Sequence, residues 1–168
     1  MNDFPKATNY RAATSLACRI AAVNPLRFNE AVHAGAYPCA PKTTPGKARS
    51  FDVNDIIALR CYQRFMAAGQ SSSASGAKAC AIRGFLAEHP EADRVFIVKT
   101  VFDDGDAESG EYRQGYLLTD FDAKDSHIKI NARQSLDVVS VEVLNFHYLR
   151  GRIVHEIEDA ARVVGSED

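Results

Sequence analysis

The sequence predicts an α+β protein, with helices in its first half and a small antiparallel sheet closed by a helix in its second half. Apolar residues recur at helical spacing up to about residue 88 and alternate at strand spacing afterwards. A Pro-containing break, His89 to Glu91, separates the two patterns. The length of 168 residues suits two small modules, which we place at 1–90 and 91–168.

Formal charge divides along the same boundary. Residues 1–90 contain eleven Lys and Arg against five Asp and Glu, a net charge of +6; the remainder contains nine against seventeen, a net charge of −8. The basic module is therefore the candidate for contact with nucleic acid. Hydrophobic residues make up 46% of the chain, and no stretch approaches the roughly 20 apolar residues of a bilayer span, which excludes the disordered and membrane classes.

Two short helices joined by a tight turn are predicted near the start. The apolar stripe over 14–23 indicates the first helix. Asn24 suits an N-cap, and Pro25 suits the first helical position, because its missing N–H would be unpaired there in any case. The second helix should end near residue 34, where Gly35 can adopt the left-handed conformation.

A loop and two further helices follow. Residues 36–50 are rich in Pro and predict a loop or a small hairpin with its tip at Pro45–Gly46. Asp52 or Asn54 can cap a third helix over 55–68. Its expected buried stripe is Ile56, Leu59, Tyr62 and Met66. A serine within 71–76 should open a fourth helix.

The second half predicts four strands and a closing helix. The strands are expected at 95–102, 112–119, 127–132 and 139–144, with an acidic turn after the first, at 103–106. The closing helix is expected over 146–164, where Leu149, Ile153, Ile157 and Val164 share one face.

A helix, a tight turn, a second helix and a Gly-tipped hairpin together can bind duplex DNA. The second helix can enter the major groove, and the hairpin can reach the flanking phosphates. Arg27, Asn29 and His33 have spacings expected to keep them near one face, towards base edges. The predicted DNA-binding residues are Asn24, Arg27, Asn29, His33, Lys42, Thr43, Thr44, Lys47 and Arg49.

Residues 14–88 resemble the winged helix-turn-helix of MerR-type transcription regulators. The residues from Val23 to Pro25 match the family's Val-Ser-Pro turn, and Gly35 follows at the family's distance. The segment 46–51 is similar to the family's Gly-Tyr-Arg-x-Tyr wing with one extra residue. Asp55-Ile56, Leu59 and Gly69-Gln70-Ser71 reproduce the Asp-Ile-x-x-Leu and Gly-x-Ser pattern of the next helices. The resemblance implies a DNA-binding head in which Arg49 is a wing contact.

The chain also departs from that family. The family's Arg-Tyr-Tyr falls on Asn29, Glu30 and Ala31, so those contacts do not carry over. A long dimerisation coiled coil is missing after Leu86, where the strand module stands instead. One winged helix-turn-helix covers too few base pairs to stand out in a genome, and regulators of this kind usually pair two such heads. We therefore expect a homodimer that forms through residues 91–168, by the closing helix or by edge pairing of the strand at 95–102.

No catalytic, metal or cofactor pattern stands out. The four cysteines are Cys18, Cys39, Cys61 and Cys80; they include no CxxC, which predicts four free thiols in a reducing cytoplasm and no metal site. The acidic segment 103–111 lacks the EF-hand spacing. There is no P-loop, GxGxxG or GxSxG, so we expect no enzyme and no cofactor.

These patterns together predict a cytoplasmic, sequence-specific regulator of transcription that binds double-stranded DNA. Its expected partners are duplex DNA and a second copy of the chain, with RNA polymerase as a further candidate and no membrane. One alternative is a protein-interaction adaptor, an anti-activator or anti-repressor, whose basic face meets an acidic protein. A second alternative is an enzyme carried by the strand module.

Overall fold

Residues 10–101 and 115–165 are described by a computed structural model, in which they form five helices and two antiparallel sheets, an α+β fold as predicted. The predicted acidic turn, the acidic segment 103–111 and the first part of the strand expected at 112–119 lie outside these residues. The chain divides into two compact units. Unit 1 runs up to Glu88 and resumes at His147, and unit 2 comprises His89–Phe146.

Unit 1 is mainly helical. Its elements are β1 (Ala12–Ala13), α1 (Thr14–Ala21), α2 (Pro25–His33), β2 (Ser50–Phe51), α3 (Val53–Ala67), α4 (Ser72–Glu88) and, from its second residue onward, α5 (Phe146–Gly165). The short strands β1 and β2 pair in antiparallel register, Ala12 opposite Phe51. The strongest helix packing is between α3 and α4 and between α1 and α3.

The turn between α1 and α2 follows from local capping. Ala22 ends α1 with a left-handed φ of 59°, and the Val23 N–H donates to the Cys18 carbonyl at 2.8 Å. This chain reversal stops the helix two residues before the predicted end at Val23. Asn24 caps α2 as predicted, because its Oδ1 accepts two backbone N–H groups of the first turn, and Pro25 is the first helical residue.

The α3 helix begins earlier than predicted. Asp52 and Asp55 form a capping box, in which each side chain accepts the other residue's backbone N–H, at 2.7 and 2.9 Å. Asp52, rather than Asn54, is therefore the cap. The predicted stripe was wrong at Met66, which is 37% exposed, because Phe65 takes the inward position and is 3% exposed.

The loop between α2 and β2 is a minimal hairpin. Thr44 and Lys47 form an isolated antiparallel bridge, and Gly46 has a φ of 75° after Pro45, which suits the third residue of a type II turn. The predicted tip at Pro45–Gly46 is confirmed. We refer to residues 36–49 as the 36–49 loop.

The prediction of four free thiols was wrong. Cys39, at the start of the loop, forms a disulfide with Cys80 of α4, and the two Cα atoms lie 5.5 Å apart. The two residues are 41 positions apart, a separation from which no spacing rule could infer their contact. The remaining cysteines, Cys18 and Cys61, are free and buried.

Unit 2 contains the second sheet. Its strands are β3 (Arg94–Thr100), β4 (Tyr116–Leu118), β5 (His127–Asn131) and β6 (Gln134–Asn145), in the order β4-β3-β6-β5. The suggestion that the first of these strands could pair edge to edge with a second copy was wrong, since β3 is hydrogen-bonded on both sides. The edges of this sheet are β4 and β5.

One face of this sheet is only partly covered. Phe96 pairs with Val143 and Val98 with Val141, and residues directly opposite each other in an antiparallel pair share a face. Val98 is fully buried beneath a cluster that includes Phe121, but Val141 and Val143 remain 39% and 50% exposed. We call the side of the sheet that bears these four paired residues the open sheet face.

The compact units divide the chain differently from the predicted modules. The helix α5, assigned to the second module from sequence, belongs with unit 1 from His147 onward. Ile153 and Ile157 of its predicted apolar stripe are buried, and Leu149 is half-buried; the side chain of Val164 is outside the described part.

Across residues 10–101 and 115–165, no helix combines the length and apolar character needed to cross a membrane.

Candidate nucleic-acid interface

The α1–α2 pair is held against α3. Ala17, Cys18, Ile20 and Ala21 form the buried side of α1. The Arg60 guanidinium of α3 donates to the Ile20 carbonyl at 3.2 Å, and so satisfies a carbonyl in the last turn of α1. This contact fixes the helix end from which the tight turn leaves.

One buried aromatic residue anchors α2. Phe28 is fully buried, and its ring meets those of Tyr37 and Phe51 edge-on, with centroids 5.5 and 5.7 Å away. Ala31, on the same side of the helix, is also buried. Because these two residues point inward, the remaining faces of α2 are left to solvent.

The predicted base-reading residues on α2 are all exposed, but they do not share one face. Asn29 and His33 are four positions apart, or about 40° around the helix, and point the same way. Arg27 and Asn29 are two positions apart, about 200° around the helix, so the expectation that all three lie near one face was wrong.

Two of the predicted contacts at the start of α2 already have partners within the protein. The side-chain Oδ1 of Asn24 accepts the N–H groups of Leu26 and Arg27 at 2.9 and 3.2 Å, so this atom serves as the helix cap. The Arg27 guanidinium lies 3.5 Å from the carboxylate of Glu30. Both side chains of that pair are strongly exposed, so solvent screens the attraction and leaves Arg27 able to exchange partners.

The loop presents most of the predicted phosphate donors. Lys42, Thr43, Thr44 and Lys47 are exposed around the type II turn. Arg49 is half-buried, and its Nε donates to the Pro41 carbonyl at 3.0 Å across the loop. Arg49 therefore has a positioning role that the sequence did not indicate.

The base of the loop is packed tightly against α4. A methyl group on Gly76 would overlap the Ala36 carbonyl oxygen and would lie 2.8 Å from its carbon. Nearby, the rings of Tyr37 and Tyr62 meet edge-on at 5.2 Å, and the Tyr62 hydroxyl is 2.7 Å from Ser72 Oγ. The Cys39–Cys80 disulfide joins the same loop to the same helix.

The formal charge of the basic module overstates the positive charge on its surface. Lys78 is 5% exposed, with its Nζ 4.8 Å from the centre of the Phe65 ring. Arg83 of α4 is bound to both carboxylates of the α3 capping box, at 2.6 Å to Asp55 and 3.1 Å to Asp52. Burial raises the pKa of Asp55 above its ordinary value, and the hydrogen bond from Arg83 opposes that shift.

Two features of this region escaped the sequence analysis. The disulfide was missed because its partners are distant in sequence. Leu26, on α2, is 73% exposed, whereas its apolar side chain had suggested no surface role.

Within the described ranges, 10–101 and 115–165, no group of three or more His, Cys, Asp or Glu residues could hold a metal ion.

No protein-family model matches the chain, and no curated protein matches it significantly.

Proposed function

We propose that the protein is a sequence-specific regulator of transcription that binds double-stranded DNA in the cytoplasm through α2 and the 36–49 loop. In this proposal α1, α2 and the loop act as a MerR-like winged helix-turn-helix. Asn29 and His33 face base edges, Arg27 reaches the groove wall, and the loop contacts phosphates.

The observation that carries the proposal is the pairing of two exposed elements in unit 1. The anchored helix α2 follows a tight turn, and the hairpin after it has a Gly-containing tip with donor side chains on both sides. A single helix fits the major groove, and flexible Lys and Thr side chains suit phosphate oxygens. Both elements are fixed by buried contacts at their bases and exposed beyond them.

A salt titration of the full-length chain tests this proposal. We expect binding to duplex DNA whose log K falls with log[salt] at a slope of about −0.9 per phosphate contacted, or about −4 for four contacts. Lys47→Gln should weaken binding to all sequences alike and reduce the slope by about one unit. Asn29→Ala should narrow the gap between specific and random DNA by about 1–3 kcal/mol.

Lys129→Gln is the matched control, because Lys129 is an exposed lysine of unit 2 and the charge change is the same. It should leave both affinity and slope unchanged. Absence of binding at low salt, or an equal effect of the two lysine variants, would refute the proposed interface.

The proposal includes a homodimer formed through residues 91–168. The half-exposed Val141 and Val143 on the open sheet face support it, since exposed apolar patches mark interaction surfaces. Two heads set about one helical turn apart would read enough DNA to stand out among the roughly 10⁶ or more competing sites of a genome.

A protein-interaction adaptor is the second candidate function, favoured by the composition of the α2 surface. Leu26 is strongly exposed there, and Glu30 adds negative charge beside it. An apolar side chain and an acid suit a protein partner better than a phosphate backbone. The same titration separates the two functions, because an adaptor has no salt-dependent affinity for duplex DNA.

A further inference from the structure

The disulfide lies at the base of the element proposed to contact phosphates. Cys39 precedes the exposed segment 42–48, and its partner Cys80 is in the middle of α4. The backbone N–H of Cys39 also points to the Cys80 sulfur, at 3.2 Å. The loop therefore enters its exposed part from a point fixed on a helix.

Few other contacts hold the exposed part of the loop. Among the hydrogen bonds of the described residues, the Thr44–Lys47 pair lies within this segment, and the bond from Arg49 to the Pro41 carbonyl joins the two residues that flank it. Residues 42–48 are all exposed, so no buried side chain anchors them. A segment with few buried contacts opens locally at little cost once a covalent constraint is removed.

The two pairs of cysteines differ in exposure. Cys39 and Cys80 are both half-buried, so each residue keeps some solvent-exposed surface. Cys18 and Cys61 are 0% and 4% exposed, and burial raises the pKa of the Cys18 thiol to about 11. A buried thiol of high pKa is a poor nucleophile, so exchange is confined to the Cys39–Cys80 pair.

We propose that the Cys39–Cys80 disulfide is a redox switch that holds the 36–49 loop in its DNA-binding form. The inference rests on the proposed function: disulfides of cytoplasmic proteins are usually transient and serve catalysis or redox sensing. A thiolate of a dithiol reductant attacks one sulfur, and the S–S bond breaks to give a mixed disulfide and a cysteine thiolate, which takes up a proton. The second thiol of the reductant then displaces the other cysteine, so two electrons and two protons pass from the dithiol to the protein.

The state of the loop can be measured without DNA. Full-length protein is treated with trypsin, oxidised or reduced with dithiothreitol, and cleavage is followed at Lys42 and Lys47 by mass spectrometry. We expect reduction to speed cleavage at both sites by about tenfold, because removing the cross-link lets the weakly held loop open locally. Cleavage at Arg64, within α3, should not change, which shows that the helices remain folded.

Cys80→Ser is the matching variant. It should be cleaved in the loop at the rate of the reduced wild type, with or without dithiothreitol. Equal cleavage of oxidised and reduced wild type would overturn the switch. So would four alkylated thiols, instead of two, when the purified protein is unfolded, alkylated and weighed without reductant.

The second arm measures duplex DNA affinity in both redox states. We expect reduced wild type and Cys80→Ser to bind about three- to tenfold more weakly than the oxidised protein, with the largest loss at low salt, where phosphate contacts dominate. Unchanged affinity despite a loosened loop would overturn the regulatory role. If the oxidised protein binds no DNA while the loop still loosens on reduction, the proposed function fails and the redox control of the loop stands.

Discussion

Adding one methyl group to α4 should have opposite effects at two of its glycines. Gly76 faces the backbone of the 36–49 loop, whereas no atom other than those of its chain neighbours and its own helix backbone lies within 4 Å of the Cβ position of Gly84. Alanine is favoured over glycine in a helix interior by about 1 kcal/mol. We therefore expect Gly84→Ala to raise the free energy of unfolding and Gly76→Ala to lower it.

The size of the loss at Gly76 follows from the geometry. A Cβ there would lie 2.8 Å from the Ala36 carbonyl carbon and 3.4 Å from the Tyr37 Cα, and would overlap the Ala36 oxygen. Carbon atoms pack best at about 3.5–4.0 Å, so loop backbone and helix must separate. Overpacking typically costs about 1–3 kcal/mol, and rigid backbone against backbone places this site near the upper end. After the gain in helix propensity, we expect a net loss of about 2 kcal/mol.

Urea denaturation followed by circular dichroism measures both variants against wild type. Gly84→Ala should shift the midpoint upward, in keeping with a gain of about 0.5–1 kcal/mol. The slope of the transition should be the same for all three proteins if only stability changes. A midpoint that rises for Gly76→Ala as it does for Gly84→Ala would show that the loop does not rest on α4 at this point.

Two further predictions concern charge and assembly. Arg83→Met should cost about 2–3 kcal/mol at neutral pH, below the roughly 3–5 of a fully buried pair, because it leaves the Asp55 carboxylate without its guanidinium partner. The folded-state pKa of Asp55 lies above its ordinary value, so Asp55 favours folding at low pH, and this stabilisation is lost as pH rises through that pKa. Arg83→Met raises the pKa of Asp55 further. The variant should therefore lose less free energy of unfolding at about pH 4 than at about pH 7. An equal loss at both pH values would contradict this assignment. Val143→Lys should convert the proposed dimer to a monomer, because each copy would bring a charge to an apolar surface. Light scattering of the full-length chain measures the change. A monomeric wild type, or a variant that remains dimeric, would exclude the open sheet face as the interface.

Local signals in the sequence predicted most of the helical elements. Asn24 and Pro25 marked the start of α2. Gly35 marked the end of α2, and Gly69 marked the end of α3. These signals are local because a helix cap depends on a few neighbouring atoms. The α3 cap was placed only to within two residues, since two acceptors were available in 52–54 and only Asp52 has a partner for the reciprocal bond.

Features that depend on tertiary contacts were beyond the sequence. In the sheet of unit 2, β3 lies between β4 and β6. This position could not be predicted, because the periodicity of a strand does not indicate which strands are its neighbours. The contact of Cys39 with Cys80 required the loop and α4 to meet. Most of the predicted DNA-binding residues lie on the surface, but Arg49 is half-buried. Its bond to the Pro41 carbonyl was not foreseen, because a side-chain hydrogen bond across a loop leaves no pattern in the sequence.

Unit 2 is an insertion into unit 1, and its two ends meet. The chain leaves unit 1 after Glu88 and returns at His147, and Arg94 at the start of β3 is the partner of Asn145 at the end of β6. The Phe146 N–H also donates to the Asp93 carbonyl at 2.8 Å. A domain inserted through two neighbouring ends can be exchanged or shortened with little change to the backbone of the domain that contains it. During synthesis, however, the ribosome must complete the whole of unit 2 before α5 emerges, so unit 1 acquires its last helix only after the inserted sheet has been made.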